Sequence, residues 1–283
     1  MPHTVQPQLP TRFGFVLVRD FTLISMSSAV ETLRMANRLV GEGVYSWKTI
    51  SELGGVVHAS DGISINTDCS IDDEQALGEL DTIIVCGGRR IESQTTDALL
   101  RWLNKASQAG IALGSTCTGS YVLAKAGLLD GYRCSVHWEN IAALTDLFPH
   151  VQVRRRVFTI DRDRYTSSGG TAPIDMMLYF VRRQCGPEIS AGVADQFVYE
   201  RVRNPDELQR IPLRHYLGKQ SIKLVDAVEL MEANIKEPIS QVDLASFVGL
   251  SRRQLQRLFQ KYLLCTPSRY YLQLRLQRAR ELL

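Results

Sequence analysis

Over the first two hundred residues, short apolar runs alternate with stretches of helical periodicity. Residues 13–18 (FGFVLV) form an apolar run of strand length, and 27–39 read as a helix with Val30, Leu33, Arg34 and Asn37 on successive turns. Residues 45–51, 56–65 and 82–86 read as further strands, the last ending in Gly87-Gly88. Residues 95–109 read as a helix, 111–113 as a strand, and 121–126 as a helix entered through the small-residue run GSTCTGS. Residues 151–164 read as a hairpin, and another helix starts near Thr171, just after Gly169-Gly170. Strands alternating with helices predict an α/β fold: a mostly parallel sheet flanked by helices, flavodoxin-like in layout.

The pattern changes toward the C-terminus. Residues 221–235 have apolar positions at helical spacing, and Pro238 lies just beyond their end. Ser240 can cap a helix with Asp243 three residues on, and Leu244, Ala245 and Val248 supply its apolar stripe. Gly249 follows where a left-handed turn residue is needed, and Ser251 caps the next helix with Gln254 at the capping-box position. Two short helices around a glycine turn predict a small all-α helix-turn-helix domain. In its second helix Leu255, Leu258, Phe259 and Tyr262 share one face, while Arg253, Gln256, Arg257 and Gln260 share the opposite one. The second set can reach base edges in a major groove, and Arg252 and Lys261 flank it where phosphates would lie. A plain solvated face is the alternative. Residues 201–220, polar with two prolines, read as a linker, so the expected domains are 11–200, a linker 201–220, and 221–283.

Composition narrows the class. With 283 residues, 45% apolar and 22% charged, the chain reads as globular, with room for one large domain or two smaller ones. Its apolar runs are too short to span a bilayer, and the first residues (MPHTVQPQLP) lack the apolar core of a secretory signal. Six scattered cysteines without a C-x-x-C pair read as free thiols in a reducing cytoplasm, and no zinc spacing or phosphate loop predicts a metal or cofactor. From Leu250 onward there are eight basic residues against Glu281 alone, a net +7; the whole chain carries +3, so the remainder carries −4. That asymmetry predicts a polyanion met by the C-terminal part.

One candidate for chemistry stands out. Strand, small residues, Cys117, small residues, helix is the layout of a nucleophile elbow, which exposes a side chain at the carboxyl end of a sheet. The helix N-terminus behind it should lower the cysteine pKa. A buried, inert cysteine is the competing reading. A nucleophile needs a base; the residue after Cys117 is Thr118, and the nearest histidine in the sequence is His137.

Two resemblances bring these features together. The stretch ISQVDLASFVGLSRRQLQRLFQKYLLCTPSRYYLQLRLQRARELL resembles the first half of an AraC-type DNA-binding domain. Such domains carry two helix-turn-helix units joined by a long helix, and the sequence given ends at Leu283 within that helix, so the second unit is expected to be missing here. The stretches CTGSYVLAKAGLLDGYRCSVHWE, FTLISMSSAVETLRMAN and SSGGTAPIDMML resemble class I glutamine amidotransferase-like domains of the PfpI type. In that superfamily an acidic residue matching Glu31 approaches the elbow cysteine, and Asp175 falls on the helix after the glycines. Hydrolytic members have a histidine directly after the cysteine or on a later loop; the first of these is absent here.

Together the resemblances imply a transcription regulator whose former enzyme pocket is a receptor, similar to regulators of carnitine and glycine betaine catabolism or of amino acids. The implied effector is a small zwitterion. Its carboxylate would suit the N–H groups of Thr118 and Gly119, and its cationic head would need an aromatic wall. Trp138 is the first candidate for that wall, followed by Phe21, Trp47 and Tyr121, with Trp102 as core filling. His137 either joins the site or serves the core, and Glu31 either faces the cation or holds the elbow. The implied partners are DNA, the effector, a second copy of the chain and RNA polymerase, with no membrane. The regulator is expected to activate rather than repress. The rival reading is a PfpI-type cysteine-dependent hydrolase or deglycase using Cys117.

Overall fold

Strand β1 (Arg12–Leu17) runs through the middle of the larger part of the molecule, with every residue after Arg12 buried. The computed structural model describes residues 11–73, 77–209, 222–263 and 265–281. It divides into two units, Met1–Gln209 and Arg210–Leu283.

In the first unit β1 is followed by α1 (Leu23–Val40), β2 (Ser46–Ser51), the short pair β3 (Gly55–His58) and β4 (Ser64–Thr67), β5 (Cys69–Ser70) and β6 (Thr82–Cys86). Next come α2 (Ile91–Gln94), α3 (Asp97–Gln108), β7 (Ala112–Thr116), α4 (Gly119–Lys125), β8 (Arg133–Cys134) and α5 (Ile141–Leu147). The unit closes with β9 (Gln152–Val153), β10 (Phe158–Asp161), β11 (Arg164–Ser167), α6 (Ala172–Cys185) and α7 (Pro187–Gln196). Seven strands pair in the order β10-β11-β7-β6-β1-β2-β5. All neighbours are parallel except β10 against β11. Strands buried on both faces need apolar residues throughout, which is why β6 reads TIIVC without alternation.

Successive β1 residues point to opposite faces. Phe13, Phe15 and Leu17 join Leu33 of α1 and Phe180 of α6 in one core, while Val16 joins Ile83, Leu103 of α3 and Leu123 of α4 in the other. The expected α/β fold stands, with three local corrections. Residues 56–65 are not one strand but most of the β3–β4 hairpin, because Asp61 and Gly62 (φ +90°) turn the chain. Residues 151–164 are not one hairpin; β9 pairs with β8, and the arginines 154–156 interrupt the run before the true hairpin, β10–β11. Residues 201–209 are not linker: Arg203, Glu207 and Gln209 hydrogen-bond into the first unit. Residues 210–220 of the expected linker lie outside the described residues.

The second unit contains α8 (Ile222–Ala233), α9 (Gln241–Phe247), α10 (Arg252–Leu263) and α11 (Pro267–Glu281). Leu224, Val228, Leu244, Ala245, Leu255 and Phe259 make its core. The Tyr271 hydroxyl donates to the carbonyl of Asn234 and accepts from the Ile239 amide, closing α11 over the end of α8.

One carboxylate fixes where the central strands begin. Asp81, just ahead of β6, accepts from the amides of Thr11 and Arg12, from the Thr11 hydroxyl and from the Arg12 guanidinium, at 2.6–3.1 Å. Burial would raise its pKa, but these hydrogen bonds outweigh that and bring it from 3.8 to about 2. A carboxylate depressed in the fold adds stability above its unfolded pKa and loses it as the pH falls through its folded one. Asp81→Asn should therefore cost about 1–2 kcal/mol at pH 7 in urea unfolding. The gap to the native chain should close between about pH 4 and pH 2; an undiminished gap at pH 2 would contradict this role.

Candidate functional site

The elbow forms where β7 ends. Cys117 takes φ +58°, a left-handed backbone that costs a non-glycine residue about 1–3 kcal/mol and must be imposed by its surroundings. Its amide donates to the Ser167 carbonyl at 3.1 Å, and its carbonyl accepts from the His137 amide at 3.2 Å. Two glycines make room. A Cβ on Gly119 would lie 2.2 Å from the Val85 carbonyl oxygen, and one on Gly169 (φ +89°) would lie 2.8 Å from the Cys117 Cβ. Neighbouring parallel strands thus bring Gly87-Gly88, the elbow and Gly169-Gly170 together at their carboxyl ends, where open α/β sheets hold ligands.

The thiol is quiet. Cys117 is 8% exposed, and its sulfur accepts from the Thr22 hydroxyl at 3.4 Å, with the Thr118 amide also turned toward it. Burial pushes its pKa up, the two hydrogen bonds oppose that, and Glu139 adds to the rise; the balance lies above the ordinary thiol value. The lowering expected from the helix N-terminus does not prevail, because desolvation outweighs the dipole of a seven-residue helix. The His137 imidazole turns instead to Glu139, with Nδ1 3.6 Å from the carboxylate. Burial lowers its pKa against the pull of Glu139, so the ring is neutral at pH 7. The side chain that hydrogen-bonds the sulfur among the described residues is therefore Thr22, which is not a base.

Above the thiol opens a cleft of about 770 Å³. Its lining includes Thr22, Cys117 and Thr118, then Arg89, Arg90 and Glu92, and then His137, Glu139 and Asn140. Arg90 is held by Asp20 at 2.5 Å, whereas Arg89 makes no side-chain bond to another described residue. Exposed Glu92 and Glu139 set negative charge near these cations, so the mouth carries both signs. No group of three metal-ligating side chains gathers among the described residues.

Of the expected site residues, Cys117, Thr118 and His137 line the cleft, and four do not. Gly119 is packed backbone to backbone against Val85 and is not part of the lining. Glu31 does not approach the elbow; Arg34, one turn along α1, captures it at 2.7 Å. Phe21 is fully buried in the core, bridged through its backbone to Ala59 and Gly88. Trp138 lies in a short 3-10 turn, half-buried with its ring 5.3 Å from that of His137, and is not part of the lining. Trp47 packs at the edge of the α1 core, Tyr121 stacks edge-on with Phe148, and Trp102 is core as expected. The sequence reading missed Thr22, Arg89, Arg90, Glu92 and Glu139. Gly87-Gly88 at the end of β6 was the available signal for the first arginine wall.

The second unit presents a separate face. The Ser251 hydroxyl accepts from the Gln254 amide while the Gln254 side chain accepts from the Ser251 amide, the reciprocal capping box expected from sequence. Gly249 has φ +64° in the turn before it. Leu255 and Phe259 of α10 are buried, whereas Arg252, Arg253, Gln256, Arg257, Gln260 and Lys261 are exposed. Arg253, Gln256, Arg257 and Gln260 bond to no other described side chain. This is the geometry of a recognition helix with its reading side free.

Comparison with known proteins finds relatives for both units. A model described as the DJ-1/PfpI family matches residues 16–183, and one described as a helix-turn-helix domain matches 244–283. The chain is 53% identical over 278 residues to the HTH-type transcriptional regulator GbdR of Pseudomonas aeruginosa, covering 98% of this chain and 75% of GbdR. It is 41% identical over 271 residues to the HTH-type transcriptional regulator CdhR of the same species, covering 96% and 80%. Among solved structures, an AraC family transcriptional regulator from Pseudomonas putida superposes with a TM-score of 0.60 at 32% identity, covering 66% of this chain and 100% of that one.

The thiol geometry has a direct readout. Alkylation of the Cys117 peptide, followed by mass spectrometry across a pH series, should show a midpoint above the ~8.5 of a free cysteine. A midpoint below pH 7 would mean an activated thiolate and would contradict the arrangement.

Proposed function

This chain belongs to the DJ-1/PfpI family and is a DNA-binding transcriptional regulator, and from that premise we propose that its elbow cleft senses a small zwitterionic metabolite. The reading is carried by one observation: a wide cleft is kept open over a protonated, base-free thiol, beneath a mouth bearing both signs of charge. A quaternary ammonium acid such as glycine betaine or carnitine, or an amino acid such as arginine, has the matching poles. Arg89 is the natural partner for its carboxylate, and Glu139 with Glu92 for its cationic head. No phenylalanine, tyrosine or tryptophan lines this cleft among the described residues, so carboxylates take the cation. The protein is a regulator and not an enzyme, as its curated relatives are.

In this reading the exposed side of α10 meets DNA, with Arg253, Gln256, Arg257 and Gln260 at base edges and Arg252 and Lys261 at phosphates. The regulator works in the cytoplasm as a homodimer, two copies of α10 matching paired half-sites, and activates transcription through contact with RNA polymerase. Effector binding changes the output by favouring one of two arrangements through differential contacts.

Two measurements test this. In a thermal-shift panel, zwitterions at a hundredfold Kd should stabilise the protein by about 2.7 kcal/mol, while choline and acetate, each with one pole, should do far less. Cys117→Ala should keep that response; loss of function with Cys117→Ala alone would instead favour the hydrolase. In the complete protein, Arg253→Ala or Arg257→Ala should weaken operator binding by about 1–3 kcal/mol. Unchanged binding in both would refute the assignment of α10.

A further inference from the structure

After α7 the chain doubles back over the first unit, and its polar side chains there are built in rather than solvated. Asp175, on the first turn of α6, has a fully buried carboxylate. It accepts from the Arg203 amide at 2.7 Å, from Arg203 Nε at 2.9 Å and from the Tyr199 hydroxyl at 3.0 Å. The Arg203 guanidinium also donates to the Thr171 hydroxyl at 2.8 Å. Six residues on, buried Gln209 donates through Nε2 to the carbonyls of Val136 and Arg156, at 2.9 and 3.0 Å, and through its amide to that of Arg155. Between these anchors the Val157 amide donates to the Glu207 carbonyl. At Arg210 the chain passes into the second unit.

Both anchors adjoin the cleft. Thr171 follows Gly170 and Val136 precedes His137, and Gly170 and His137 line the cleft. A plain linker needs no buried ion pair, because desolvating Asp175 is unfavourable unless the geometry is as complete as it is here. Packed interiors shift between discrete arrangements rather than deforming gradually. Gln209 adds a second sign: among the described residues its Oε1 is buried without a hydrogen-bond partner, an acceptor that an alternative arrangement could satisfy.

We propose that residues 199–209 form a strap that carries the state of the cleft to the DNA-binding unit, with Asp175, Arg203 and Gln209 as its positioning residues. The proposal rests on the cleft being an effector site. A ligand that shifts Gly170 or His137 moves Thr171 or Val136 through a single peptide, and Arg203 and Gln209 take up that displacement in the chain that leads to the second unit.

The test uses the complete regulator, with glycine betaine, carnitine and arginine as probes, comparing calorimetric binding with induction of an operator-driven reporter. Arg203→Met and Gln209→Leu should each bind the active probe within about twofold of the native Kd yet lose at least tenfold in induction. Gln209→Leu leaves the ion pair intact, so it serves if Arg203→Met fails to fold. Asp175→Asn added to Arg203→Met should cost little further induction, as expected of one coupled unit. Variants that bind and induce like the native protein would overturn the strap. So would variants whose binding and induction fall together, as a merely structural role predicts. A native protein that binds none of the probes would remove the effector reading and the strap with it, a result visible before any variant is read.

Discussion

The left-handed backbone of Cys117 is the constraint on which the first unit turns. One residue after the end of a central parallel strand, the chain must reverse into α4 while three other backbones close in around it. The parallel order of β6, β7 and β11 supplies those backbones from strand ends that lie side by side. Ser167 and His137 hold the cysteine from either side, and glycines at 119 and 169 let the neighbours approach. The cleft is a consequence: walls that end at the same level leave a hollow above the turn.

What the elbow does with that hollow depends on competition between desolvation and hydrogen bonding. Catalytic cysteines need a base or a strong local field to offset the loss of water around the thiolate. Here burial prevails over one hydroxyl and one amide, and the imidazole pairs with Glu139. The same charges that fail to activate the sulfur are suited to holding a dipolar molecule. Arg90 is engaged by Asp20 while Arg89 is left available, and the acids on the mouth are not neutralised by the uncharged histidine.

Much of this was legible in the sequence, for reasons that differ by element. β1 and β6 announce themselves as uninterrupted apolar runs because both of their faces are covered. Helix α10 was legible to the level of its capping box, since Ser251, Gln254 and Gly249 act on backbone within a few residues. The elbow was legible as a turn, because small residues around a cysteine permit little else. The protonation state was not, since burial of the sulfur is decided by Thr22 and by chain far away in sequence. Glu31 was misread because its partner, Arg34, competes locally with a contact that only the fold could arrange. Arg89 and Glu139 belong to loops without periodicity, and aromatic content pointed to Trp138 and Phe21 instead. Polar composition likewise made 201–209 look like linker, although Arg203 finds its carboxylate 28 residues earlier in the chain.

A cleft that binds without reacting can be read in one sample by ligand-observed proton NMR. With glycine betaine or carnitine mixed into the complete protein, saturation should transfer to the N-methyl resonances while the ligand spectrum stays unchanged for days. New product resonances that disappear in Cys117→Ala would contradict it.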